Sequence, residues 1–150
     1  MKTCLVGCGG IAAVHGSVLT SGIDTEFIAA ADIKPEKAQH YAETFHTKPY
    51  PSLESMLDAE TPDVLHICTP HYLHVPMAIY ALERNINVFM EKPPAISFDQ
   101  LEELKKAAAK SDAQLGFCYQ NRYNASIRAA KDLITSGKAG KVLGARAFVT

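Results

Sequence analysis

Short apolar or β-branched runs alternate along this chain with segments of helical period, and that alternation leaves few folds open. The runs Thr3 to Val6, Phe27 to Ala31, Val64 to Cys68, Asn87 to Met90 and Gln114 to Tyr119 read as strands. Between them Gly10 to Leu19, Pro35 to Phe45, Leu53 to Leu57, Val75 to Arg84 and Phe98 to Lys110 read as helices. Strands separated by helices build an α/β fold, a doubly wound parallel sheet with helices on both faces. The near-continuous apolar character of the strands fits burial on both sides. The helix from Phe98 is the best marked: Ser97 is its N-cap candidate, Asp99 and Glu102 sit in the first turn, and Lys105, Lys106 and Lys110 come late against the dipole. After Tyr119 the pattern changes to a loop, a helix ending near Gly137, and "VLGARAFVT", which reads as one further strand with no helix after it.

The first strand hands over to the first helix through Gly7-x-Gly9-x-x-Ala12. The first small residue permits the tight turn, the second lets backbone approach a pyrophosphate, and the third lets helix pack closely on strand. Free N–H groups at the helix start then face the phosphates. The second strand ends at Asp32, 25 residues after Gly7, close to where an acid would bind a ribose 2′-hydroxyl. The alternative for Asp32 is a solvated strand end or an N-cap ahead of Pro35. The cofactor-binding candidates here are Gly7, Cys8, Gly9, Gly10, Ile11, Ala12, Asp32 and Ile33. A carboxylate at that position disfavours a 2′-phosphate, so NAD is expected over NADP, although Lys34 nearby softens the discrimination.

Composition narrows the partners. Of 150 residues 47% are hydrophobic and 21% charged, with a formal net charge of -1, so nothing advertises a nucleic-acid or membrane partner. Cys4, Cys8, Cys68 and Cys118 form no C-x-x-C pair and sit in or beside apolar runs, as reduced thiols of a cytoplasmic protein would. His71 and His74 are three apart, but no further Cys or acid cluster completes a metal site, and no metal is expected. His66, inside a strand, reads as a hydrogen-bonded core or cleft residue; His15, His40 and His46 read as helix surface or edge positions.

Three further stretches, "CTPHYLH" from Cys68, "MEKPPA" from Met90 and "GFCYQNRYN" from Gly116, join the glycine loop and Asp32 in one order. Together they resemble the nucleotide-binding half of the Gfo/Idh/MocA oxidoreductases, over essentially the whole chain. The resemblance implies that Thr69 and Pro70 line the cofactor cleft, with His71 and His74 on the following turn and helix. It implies that Glu91 and Lys92 lie near the nicotinamide, Lys92 as the substrate-orienting and acid/base lysine, with Pro93 in a tight turn after a cis bond. Asn121, Arg122 and Tyr123 match a loop that faces the substrate. In an open parallel sheet, ligands bind beyond the carboxyl ends of the strands, and each of these stretches follows one.

The same resemblance implies a second domain, carrying a D-x-x-x-H pair, most of the substrate pocket and the usual dimer face. No Asp here has a His four positions later. The expected organisation is therefore a Rossmann domain over residues 1–120, then a linker helix and the first strand of a missing second domain over 121–150. The implied parent is an oxidoreductase acting on a hydroxyl of a sugar, polyol, inositol or related substrate, with this chain binding cofactor but lacking full activity. The alternative is a non-catalytic dinucleotide-sensing module. The terminal strand, lacking partners, is expected to pair with another copy of the chain or to be poorly ordered.

Overall fold

The computed structural model describes residues 1–22 and 24–146. Six strands, β1 (Lys2–Val6), β2 (Glu26–Ala31), β3 (Lys48–Tyr50), β4 (Val64–Ile67), β5 (Asn87–Glu91) and β6 (Leu115–Cys118), form one parallel sheet in the order β3-β2-β1-β4-β5-β6. The chain winds outward from β1 through β2 to β3, then returns to the other side of β1 at β4. That reversal leaves a crevice between the ends of β1 and β4, where open α/β sheets take their ligands.

Side chains alternate between the two faces of each strand, and each face buries a different set. On one, Leu5, Phe27 and Ala30 cluster with Ala12 and Leu19 of α1 (Gly10–Leu19) and Tyr41 of α2 (Pro35–Phe45). On the other, Cys4, Val6, Ile67 and Met90 cluster with Leu53 of α3 (Leu53–Ala59), Val75 of α4 (His74–Leu82) and Leu104 of α5 (Phe98–Lys110). The fit of α1 against α2 is close. A Cβ added at Gly16 would stand 2.6 Å from the Phe45 ring.

The sequence pattern overlooks β3, whose three residues include a proline and make no apolar run; it is an edge strand completed by Asp32 N–H donating to the Tyr50 carbonyl at 3.2 Å. The α4 region begins one residue earlier than expected and follows a 3-10 turn over His71–Leu73. The caps at Ser52 and Ser97 accept from Ser55 N–H and Gln100 N–H, as serine N-caps do.

The chain divides into two compact units, Met1–Cys118 and Tyr119–Thr150. The second holds a 3-10 turn, Gln120–Tyr123, and α6 (Ala125–Thr135), capped by the Asn124 side chain. The strand expected over "VLGARAFVT" is not formed in its described part: residues 142–146 have no regular structure, and 147–150 lie outside the described residues. A strand exists only through pairing with a neighbour, and the described residues of this unit contain none.

Candidate functional site

A cleft of about 520 Å³ opens at the carboxyl ends of β1, β2 and β4. Its floor is the glycine loop. Gly7 has φ +92, and a Cβ there would stand 2.7 Å from both the Cys68 carbonyl carbon and Thr69 N, so only glycine lets the end of β1 pass against the end of β4. Gly9 and Gly10 differ: a Cβ at either meets nothing within 4 Å. The protein's own packing does not demand glycine at those two positions, whereas a phosphate lying against backbone would. The α1 helix starts at Gly10 with no side-chain cap and no acid in its first turn, leaving the positive end of its dipole unanswered.

Two side chains hold this loop. Asp32 accepts from Cys8 N–H through Oδ2 and from Lys34 N–H through Oδ1, both at 2.8 Å. Tyr41 of α2 donates its hydroxyl to the Gly9 carbonyl at 2.8 Å. Burial, with Asp32 as a smaller cause, pushes the Cys8 thiol up to about 12, and burial also pushes Cys68 up. Both are inert thiols, Cys68 lining the cleft and Cys8 buried beneath it, and none of the four cysteines is in a disulfide.

The remaining candidates divide. Gly7, Gly9, Gly10, Ile11, Asp32, Ile33, Thr69 and Pro70 line the cleft, with Lys34 and Lys37 at its β2 side. Cys8 and Ala12 lie buried beneath it. His71 is exposed, and His74 is wholly buried behind the cleft wall. The His74 ring spans two carbonyls, Nδ1 on Pro93 at 2.8 Å and Nε2 on Thr69 at 3.0 Å. Glu91, Lys92 and Pro93 stand at the end of β5, next to β4 on the same side of the sheet, and the Lys92–Pro93 bond is cis. Lys92 is exposed and Glu91 buried. Asn121, Arg122 and Tyr123 belong to the second unit, on its 3-10 turn.

One group escaped the sequence reading. His15, expected on the helix surface, is 7% exposed and faces the sheet. Its Nδ1 meets His66 Nδ1 at 3.0 Å and its Nε2 meets Glu91 Oε1 at 3.1 Å. The buried positions of α1, namely Ala12, His15, Gly16 and Leu19, follow the i, i+3, i+4, i+7 rhythm that would have located it. Ile11, Val14 and Val18 misdirect by being apolar and outward. Burial and then the neighbouring His15 hold His66 down to about 4, so it is neutral at physiological pH. Burial pushes the Glu91 carboxyl up, but hydrogen bonds from His15 and the Cys118 thiol and the charge of His15 outweigh it, and the net displacement is downward. An ionised carboxylate only accepts, so His15 Nε2 carries the proton in that contact. Ligand atoms of His15, Glu91 and Cys118 lie within 4.8 Å of one another, near enough to share a metal ion, yet hydrogen bonds already use those same groups.

Among the described residues, no helix is long and apolar enough to cross a membrane.

Comparison with known proteins agrees with this architecture. A glucose-6-phosphate 3-dehydrogenase of Bacillus subtilis is 28% identical over 142 residues, 95% of this chain and 40% of that protein. A 2,7-anhydro-N-acetylneuraminate hydratase of Mediterraneibacter gnavus is 30% identical over 146 residues, 95% of this chain and 38% of its own length. The crystal structure of the WlbA dehydrogenase from Bordetella pertussis, in complex with NADH and UDP-GlcNAcA, superposes with a TM-score of 0.90 at 30% identity, covering 93% of this chain and 43% of that one. This chain thus spans about two fifths of the relatives it matches. Residues 1–119 match the Gfo/Idh/MocA profile, described as an oxidoreductase family with an NAD-binding Rossmann fold, and the chain belongs to that family.

Proposed function

We propose that this chain is the cofactor-binding part of an NAD-dependent dehydrogenase acting on a secondary hydroxyl of a sugar, polyol or inositol. The observation that carries the cofactor reading is the contrast within the glycine loop: Gly7 is demanded by the fold, while Gly9 and Gly10 open a cradle that no atom of the described residues fills. The pyrophosphate would rest on the free amides at the start of α1. Asp32, with lone pairs to spare beyond Cys8 and Lys34, would accept the ribose hydroxyls. Exposed Ile33 and Tyr72 would flank the adenine. A 2′-phosphate would meet the Asp32 carboxylate, which favours NAD, with Lys34 and Lys37 close enough to temper the preference.

The bound cofactor supplies the hydride acceptor. This chain's own contribution to the chemistry would be Lys92, exposed at the end of β5, its neutral amine accepting the proton of the substrate hydroxyl during oxidation and its ammonium returning one during reduction. The opposing substrate groups would come from residues beyond this chain, so the chain alone binds dinucleotide and turns over little.

Parallel titration with NADH and NADPH is the test. NADH should bind the tighter; if neither binds, the proposal fails. Because one relative is named a hydratase, the full-length protein must also be assayed for net oxidation of a sugar or polyol, and dehydration without it would overturn the reaction proposed here.

A further inference from the structure

We propose that His15 and His74 are positioning residues that clamp the Lys92 turn from opposite faces of the sheet. The turn leaves β5 at Glu91, and its two ends of backbone polarity are each held by a buried side chain. On the α1 face, Glu91 Oε2 accepts the Lys92 N–H at 3.3 Å, while Oε1 takes His15 Nε2 at 3.1 Å. On the α4 face, His74 Nδ1 meets the Pro93 carbonyl at 2.8 Å.

Neither histidine has another evident task. His74 is 0% exposed, and its ring nitrogens meet only backbone carbonyls, those of Pro93 and Thr69. His15 lies in a polar seam on an otherwise apolar face, flanked by the Phe89 ring. His66 closes that seam: neutral, it pairs with His15 Nδ1 and fixes which way the ring points. A carboxylate buried beside Lys92 and held only by the Lys92 backbone N–H would be free to swing toward the ammonium. His15 and the Cys118 thiol hold it back against the sheet. The clamp also joins the turn to the two elements that build the cofactor cleft. His15 belongs to the helix whose start is the proposed pyrophosphate seat, and His74 anchors to Thr69, which lines the cleft.

The proposal rests on Lys92 as the proton-transfer residue, and its test reads the turn rather than the reaction. In the 15N-labelled chain, His15→Leu and His74→Leu should each speed hydrogen exchange of the Lys92 amide at least tenfold. His15→Gln, which keeps a donor near Nε2, and His74→Asn, which keeps one near Nδ1, should stay within about threefold of the parent. The amides of Leu65 and Met90, inside the sheet, report global stability and should hold steady. Unchanged Lys92 exchange in the leucine variants, or polar variants as fast as the leucine ones, overturns the clamp. Should a leucine variant not fold, ring-nitrogen spectra of the parent decide: protons on His15 Nε2 and His74 Nδ1 support the proposal, and a bare nitrogen at either place refutes it. Failure of the Lys92 role would show separately, as undiminished turnover in Lys92→Ala.

Discussion

The Asp32 carboxylate receives the Cys8 backbone N–H at 2.8 Å, so the acid proposed to take a ribose is also a strut of the loop proposed to take the phosphates. One side chain thus serves two parts of the same cleft, and its removal is felt in both.

Asp32→Ala should therefore weaken NADH binding more than loss of one ribose contact would, by about a hundredfold, since the Cys8 and Lys34 amides lose their acceptor as well. Asp32→Asn keeps the shape and one acceptor and should cost roughly tenfold. In both, NADPH should gain relative to NADH because the repelling charge is gone. Fluorescence titration of the two cofactors against the three proteins checks the order.

The glycines should separate stability from binding. Gly7→Ala sets a Cβ 2.7 Å from backbone atoms of Cys68 and Thr69 at φ +92, and should destabilise by more than about 2 kcal/mol. Gly9→Ala, at φ -91 with open space ahead, should move stability by only about 0.5 kcal/mol while lowering NADH affinity. Thermal melts paired with titration would show a stable Gly7→Ala, or a Gly9→Ala that binds normally, if the account is wrong.

The His66 imidazole titrates near 4 in the fold against 6.5 for its ordinary value. Between those limits the unfolded chain binds the proton that the folded chain refuses. The contribution of neutral His66 is thus fully present above about pH 6.5 and declines as pH falls toward 4, the downward slope flattening below that. His66→Phe should remove that part of the acid-side slope, measurable as urea midpoints from pH 7 to 4. An unchanged slope would show that His66 is not the group responsible.

In full-length protein that oxidises its substrate, Lys92→Ala should lower kcat by about a hundredfold or more and leave NADH affinity within about twofold. A dinucleotide sensor would show no such loss, which makes this the comparison that separates enzyme from sensor.

Much of the fold was legible because the signals were local. Five of the six strands are apolar runs, the Ser97 cap is a serine three residues before its partner, and the glycine loop announces its own turn. What escaped depended on partners distant in sequence. β3 carries Lys48, Pro49 and Tyr50 and becomes a strand only because the edge of β2 is there to pair with it. His15 looked outward in a helix rich in apolar residues, and its inward role depends on Glu91, 76 positions away. Residues 142–146, the described part of the expected terminal strand, belong to a run with a strand's composition, and composition does not supply a neighbour. For the candidate cleft, the lining residues at the strand ends were readable, but the hold of Asp32 on the Cys8 amide and the burial of His74 required the backbone to be folded around them.

The pairing of β1 with β4 sets a timetable for the molecule. Thr3 lies beside Val64, and between them the chain must complete three helical crossovers, through α1, α2 and α3, and the strands β2 and β3. Non-local parallel pairing of this kind is slow to form, since loop-closure entropy is lost before contacts compensate. A nascent chain that has made β1, α1 and β2 already displays the glycine loop, yet Gly7 has no Cys68 or Thr69 to lean on. Cofactor affinity should therefore arise abruptly as the β4 segment docks, so that dinucleotide binding reports the joining of β4 to β1, before β5 and β6 extend the sheet, and favours the molecules in which it has occurred.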